Sequence, residues 1–71
     1  MIRLNGAEFN YRPGMSLKEL TNLYNAEHNK SLAFDGFIVL INSTALTASQ
    51  AEERILSDND KINIVPMLDG G

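Results

Sequence analysis

Ile2 and Leu4, then Phe9 and Tyr11, alternate with polar neighbours. Alternation at period two marks strands with one buried face. Asn5-Gly6 lies between the two runs. Asn and Gly tolerate positive φ at both central positions of a tight turn, so the opening predicts a β-hairpin over residues 2–12. Pro13-Gly14 is expected to end its second strand, because proline offers the ladder no N–H. Ser16 with Glu19 reads as a helix capping box, flanked by Met15 and Leu20 as a hydrophobic staple. Leu17, Leu20, Leu23 and Tyr24 then recur at helical spacing. They predict one apolar stripe on a helix from about residue 17 to 26. Asn22, Asn25 and Asn29 are weak helix formers, so fraying is expected between Asn25 and His28.

Residues 27–36 read as a loop closing at Asp35-Gly36. Phe37 to Ile41 is rich in branched apolar residues and predicts an interior strand covered on both faces. A short edge strand is expected near Thr44–Leu46, and a helical turn over Ala51 to Leu56. Ser57-Asp58-Asn59-Asp60 has the composition of a turn. Lys61 to Val65 alternates again as the last strand, with Pro66 as its stop. The order β, β, α, β, (β), β, with one helix to cover one sheet face, is that of a two-layer α+β roll. No repeat, linker or low-complexity stretch interrupts it.

The length of 71 residues allows one domain. A chain this short buries only roughly 60% of its unfolded surface, which leaves little room for a deep catalytic cleft. The chain has no Cys, so disulfides, thiolate-held metals and a cysteine nucleophile are excluded. Net charge is -3. An acidic chain repels phosphate backbones, which disfavours nucleic acid and suits a partner with a basic face. The opening residues form no apolar signal segment, and the run Phe37 to Ile41 is too short to span a bilayer. A soluble, cytoplasmic protein with no membrane partner is expected.

The chain closes on Met67-Leu68-Asp69-Gly70-Gly71. Two final glycines arise by chance in about 1 in 200 chains at ordinary glycine usage. A truncated chain would also produce them. The chemical reading is more specific. Glycines carry no side chain, so such a tail fits a narrow channel in a partner and adopts whatever φ and ψ the channel demands. A carboxylate is a poor electrophile. Adenylation by ATP would convert it to an acyl adenylate, open to attack by a partner's persulfide or thiolate. A thiocarboxylate at Gly71 would then carry sulfur with no catalytic side chain in this chain.

These features together resemble the ThiS/MoaD sulfur carriers, which share the β-grasp fold with ubiquitin. The resemblance covers the whole chain. Its matching positions are Asn5-Gly6, the helix from Ser16 through Leu23, the strand Phe37 to Asn42, the Asp58-Asn59-Asp60 turn with Lys61 to Val65, and Gly70-Gly71. It implies a ubiquitin-like β-grasp roll with a mixed sheet of four to five strands and one main helix. The domain would occupy residues 1–66, with residues 67–71 as a flexible Gly-Gly tail. It implies no catalytic residue, no metal and no bound cofactor. Gly71, with Gly70 as its companion, would be adenylated by a ubiquitin-activating-like adenylyltransferase that uses ATP. A sulfur donor such as a cysteine desulfurase would supply the sulfur. Met67 and Leu68 would either anchor the tail on the partner or pack on the sheet.

ThiS-type members pass sulfur to thiazole synthase for thiamine, and MoaD-type members to molybdopterin synthase. The short length favours the ThiS type, whereas Val65-Pro66-Met67-Leu68 is similar to the approach to the tail in MoaD types. This chain has Asn42-Ser43 where many members have Asn-Gly, and Asn59 where many have Gly. Asp69 adds a negative charge beside the glycines. Two alternatives stay open: a protein modifier joined to target lysines, and a non-carrier β-grasp interaction module. Other polar groups have ordinary readings. His28 is expected as an exposed loop residue. Glu52 and Glu53 are expected on a solvated face, and Asp58 to Asp60 as a turn without the Gly and Glu of a calcium loop. Asn29-Lys30-Ser31 and Asn42-Ser43-Thr44 match glycosylation sequons, which carry no meaning without secretion.

Overall fold

The structure is a computed structural model and describes residues 1–67. It contains strands β1 (Ile2–Leu4), β2 (Ala7–Phe9), β3 (Phe37–Ile41), β4 (Thr44–Leu46) and β5 (Lys61–Pro66). Helix α1 (Leu17–His28) follows β2, and the short α2 (Ala48–Glu53) follows β4. The five strands form one mixed sheet in the order β2-β1-β5-β3-β4. β5 runs parallel to β1 and antiparallel to β3. Inserting the last strand between the first and third, under a crossing helix, gives the ubiquitin-like β-grasp roll, an α+β fold with one main helix.

Both hairpins turn on residues held at positive φ. In the first, Leu4 pairs with Ala7 across Asn5 (φ 50°) and Gly6 (φ 85°). In the second, Ile41 pairs with Thr44 across Asn42 (φ 50°) and Ser43 (φ 72°). Positive φ at both central residues twists the turn to match the strands. Ser43 adopts this conformation although it carries a Cβ, which strains it.

The first hairpin is shorter than its alternation predicts. β2 stops at Phe9, and Tyr11 is half-buried but unpaired. The register pairs Ile2 with Phe9, so β1 runs out of residues before Tyr11 is reached. The partner strand, and not Pro13, sets the end.

α1 is longer than expected. Asn29 caps it in the left-handed conformation (φ 53°, ψ 49°), and its N–H donates to the Asn25 carbonyl. The Asn25 side chain meanwhile donates to the Leu32 carbonyl and accepts from the Leu32 N–H, both at 2.9 Å. The asparagines that lower helix propensity therefore close the helix instead of fraying it. At the other end the Ser16 hydroxyl accepts from Glu19 N–H at 3.0 Å. The return half of that box does not form, because the Glu19 carboxylate pairs with Arg12. The complete capping box belongs to α2, between Thr47 and Gln50, and it starts that helix three residues before the expected Ala51.

The core lies between the helices and the inner sheet face. Ile2, Leu4, Val39, Ile41, Ile62 and Ile64 meet Leu17, Leu20, Ala51 and Leu56 there. Leu23 departs from the predicted stripe and is exposed, while Thr21 is buried. At about 100° per residue, Thr21 points within 40° or so of Leu17, whereas Leu23 points roughly 120° away. The Thr21 hydroxyl donates to the Leu17 carbonyl at 2.8 Å, which satisfies it inside the core.

β3 is interior to the sheet, but only one of its faces is covered. Ile38 on the outer face is 39% exposed. β5 takes in one residue more than expected, since Pro66 pairs with Phe37 as its last residue. Asn42 N–H donates to the Lys61 carbonyl and Met67 N–H to the Gly36 carbonyl, so the hydrogen-bonded pairs of this register fall at alternate positions. Pro66 opposite Phe37 falls on a non-bonded pair, where its missing N–H is not needed.

Candidate functional site

Of the expected site residues, Met67 is described. Leu68, Gly70 and Gly71, and Asp69 beside them, lie outside the described residues. The site is therefore built from the surface at the root of the tail.

Met67 follows β5, and its N–H donates to the Gly36 carbonyl at 3.0 Å. It continues the β5 alternation, which places its side chain on the outer face with Val65, Asn63 and Lys61. Met67 is 57% exposed and Val65 44%. Val65 pairs directly with Ile38, and Leu40 is half-buried beside them. These residues form an apolar half-face that no helix of the described residues covers. Isolated exposed apolar residues are ordinary, whereas these lie side by side on one sheet face. The Met67 side chain is exposed at the edge of this half-face and does not pack into the core.

The other half of the outer face is charged. Arg3 pairs in register with Lys61, and its guanidinium donates to the Glu8 carboxylate at 3.1 and 3.3 Å. The acidic surplus that favours a basic partner lies elsewhere. Glu19 and Glu27 sit on α1, Glu52 and Glu53 on α2, and Asp35, Asp58 and Asp60 in turns. Among the described residues, the sheet face carries Arg3 and Lys61 against Glu8. A partner on that face meets apolar surface with a weakly basic border, not an acidic one.

Side-chain amides hold this strand in place. After β1 turns away into its hairpin, the Asn5 amide donates to the Ile64 carbonyl at 2.9 Å and accepts Ile64 N–H at 2.8 Å. Asn5 thus extends the parallel ladder with its side chain. Asn42 does the same at the start of β5, accepting Lys61 N–H and donating to the Asp60 carboxylate. Asp60 is buried and also accepts Ser57 N–H at 2.8 Å. The turn over Asp58 to Asp60 therefore has a structural task. The roles of Asn5 and Asn42 as ladder surrogates were missed in the sequence, where they register only as turn formers. The signal was the recurrence of Asn where Gly would have sufficed.

The remaining candidates behave as ordinary surface. Glu52 pairs with Lys18 at 3.5 Å and Glu53 is exposed. His28 is not in a loop: it ends α1, and its ring lies over Tyr24 with centroids 4.5 Å apart. Among the described residues no group of three or more acidic or histidine side chains gathers to hold a metal. Two surface depressions, of about 250 and 160 Å³, lie beside Arg3 and beside Thr21. Both are smaller than the roughly 300–1,000 Å³ of ordinary ligand pockets. No helix of the described residues is long and apolar enough to cross a membrane.

The site is thus a β-grasp roll with an apolar half-face beside the end of its last strand. The chain belongs to the ThiS family, whose model matches residues 2–71. No curated protein matches the chain. Members of the family are small sulfur carriers and not catalysts, and they work with adenylyltransferases and sulfur acceptors. The expected ThiS/MoaD-like fold and family are thereby established.

Proposed function

We propose that this chain carries sulfur as a thiocarboxylate on Gly71 and delivers it to thiazole formation in thiamine synthesis. The observation that carries this reading is a family match that runs from Ile2 through Gly70 and Gly71. The exposed Ile38–Val65–Met67 surface at the root of the tail supports it, since an activating partner has an apolar face to grip there.

The chemistry needs no side chain of the carrier. A Gly71 carboxylate oxygen attacks the α-phosphorus of ATP on an adenylyltransferase, and pyrophosphate leaves. A persulfide on a partner, loaded by a donor such as a cysteine desulfurase, attacks the acyl carbon and AMP leaves. A second partner thiolate attacks the cysteine-side sulfur of the resulting acyl disulfide. The S–S bond breaks, the partner is left as a disulfide, and the thiocarboxylate is released. Gly70 lets the chain pass a narrow channel. Met67, with Leu68, docks the tail. ATP is bound by the partner and not by the carrier. The carrier's own contribution is binding and presentation in the cytoplasm, where such partners work.

Intact-protein mass spectrometry tests this directly. The carrier is incubated with ATP, an adenylyltransferase and a cysteine desulfurase. The expected product gains one sulfur for one oxygen, mapped to Gly71, and deleting Gly71 abolishes the gain while leaving the fold intact. A deletion variant that still accepts sulfur would overturn the reading. Sulfur accepted from the carrier by thiazole synthase supports the thiamine assignment, and transfer only to molybdopterin synthase would overturn it.

A further inference from the structure

We propose that Gly36 is a positioning residue that fixes the length of tail the activating enzyme handles. This rests on the carrier reading above. Among the described residues, the last hydrogen bond from this edge of the chain to the sheet is donated by Met67 N–H, just past β5, to the Gly36 carbonyl. It lies one pair beyond the Phe37–Pro66 pair that ends the strands. Gly36 turns that carbonyl toward Met67 from φ 80°, a conformation that disfavours side chains. A Cβ built on Gly36 meets nothing within 4 Å, so the glycine serves its backbone angle and not a tight contact.

The consequence is a defined reach. Counting from Met67, four residues remain to Gly71. At about 3.3–3.6 Å per residue they extend at most about 14 Å. If the Gly36 bond is lost, the last ladder bond recedes to the Ile38–Val65 pair, because the Phe37–Pro66 pair between them is a non-bonded one. Six residues then remain, with a reach of about 21 Å. Pro66 already has a fixed φ, so Met67 is the residue that must be ordered again on binding. Ordering one backbone residue corresponds to about a tenfold change in apparent affinity. Gly36 thus spares the partner that cost and sets where Gly71 can arrive.

The test is ATP–pyrophosphate exchange by an adenylyltransferase, with the full-length carrier as the varied substrate. Gly36→Val, which resists positive φ, is expected to lower kcat/KM about tenfold through KM, leaving kcat unchanged. Gly36→Asn, which tolerates positive φ, is expected to behave as the parent. A second pair avoids changing the turn at all. Met67→Ala keeps the N–H and loses the side chain, whereas Met67→Pro loses both, and the difference between them reports the bond. A structural role alone would not predict suppression. Deleting Asp69 shortens the tail and is expected to abolish exchange in the parent chain. The same deletion in the Gly36→Val background is expected to recover part of it, because the loosened root restores reach. Equal activity of Gly36→Val and Gly36→Asn, equal activity of both Met67 variants, or no suppression would each overturn the inference while leaving the carrier reading standing. No exchange with the unaltered carrier would overturn both.

Discussion

Asn5→Ala tests whether a side-chain amide substitutes for a missing stretch of strand. In the parent chain the amide makes two hydrogen bonds to Ile64, at 2.9 and 2.8 Å, in a partly buried site. Alanine strands one backbone donor and one acceptor. A buried stranded group costs about 1–3 kcal/mol, and partial access to water places each of these near the low end. Alanine at φ 50° adds about 1 kcal/mol of strain. The sum is about 3 kcal/mol. Domains of 71 residues hold about 4–11 kcal/mol in total, so this is a large share. The midpoint of thermal unfolding should fall by about 12–24 °C.

Two companions separate the contributions. Asn5→Gly accepts the positive φ, so only the loss of about 2 kcal/mol from the bonds should remain. Asn5→Asp also tolerates the turn, but it sets a carboxylate oxygen against the Ile64 carbonyl. Its folded pKa should therefore rise above the unfolded value of about 3.9. A raised acid pKa means that the variant is least handicapped below the unfolded pKa. The handicap should grow as pH rises from there through the folded pKa and then level off. Urea titrations of all four chains across pH, with amide exchange at Ile64, measure this. A loss below about 1 kcal/mol for Asn5→Ala, or a flat difference between Asn5→Asp and the parent, would refute the reasoning.

Other substitutions probe different parts of the molecule. Ser43→Gly relieves a Cβ at φ 72° and should stabilise the chain by about 1 kcal/mol in the same urea titration, although glycine's unfolded-state entropy offsets part of it. The Asp58 carboxyl is held below its ordinary 3.8, chiefly by the hydrogen bond from the Met1 ammonium. A depressed acid pKa contributes stability above the unfolded value that is lost as pH falls through the folded one. Asp58→Asn should therefore flatten the acid limb of the stability curve slightly, since the pair is exposed. Ile38→Asp places a charge in the apolar half-face at a position already 39% exposed. It should leave the fold near parent stability while raising KM in pyrophosphate exchange at least tenfold, as for removal of an interface anchor worth about 2 kcal/mol.

The sequence revealed most about elements with strong local signals. Asn5-Gly6 placed the first hairpin, and the alternation of Lys61 to Val65 placed β5. Extents were less legible because partners set them. β2 ends at Phe9 because β1 has no residue left to pair, a fact about register that no property of Tyr11 reveals. α1 extends to His28 because Asn25 and Asn29 find bonds to Leu32 and to each other's backbone, which propensity alone does not foresee. Phe37 to Ile41 looked fully covered because apolar runs do not say which face is buried. The open face became visible only once both helices were seen on the other side. For the proposed site, Gly70 and Gly71 stand out in the sequence but lie outside the described residues, while Gly36, beside Met67, reads there only as the end of a loop.

That open face follows from a shortage of chain. Five strands at about 4.8 Å spacing make a sheet roughly 20 Å across, and one helix about 10 Å wide covers half of it. α2 adds cover over β3 and β4 on the same inner side as α1. Among the described residues, no element packs on the outer side. A face left to water carries mostly polar side chains at the outward positions of its strands, with apolar ones scattered singly. Here the pattern splits along β5 and its neighbours. Arg3, Glu8, Lys61 and Asn63 satisfy it, and Ile38, Leu40, Val65 and Met67 break it. The break lies at the end where Met67 leaves the sheet and not at the end where β5 begins. An apolar surface placed for solubility would have no reason to choose that end. Under the function proposed above, a partner that binds this face sits beside the point where the chain leaves β5.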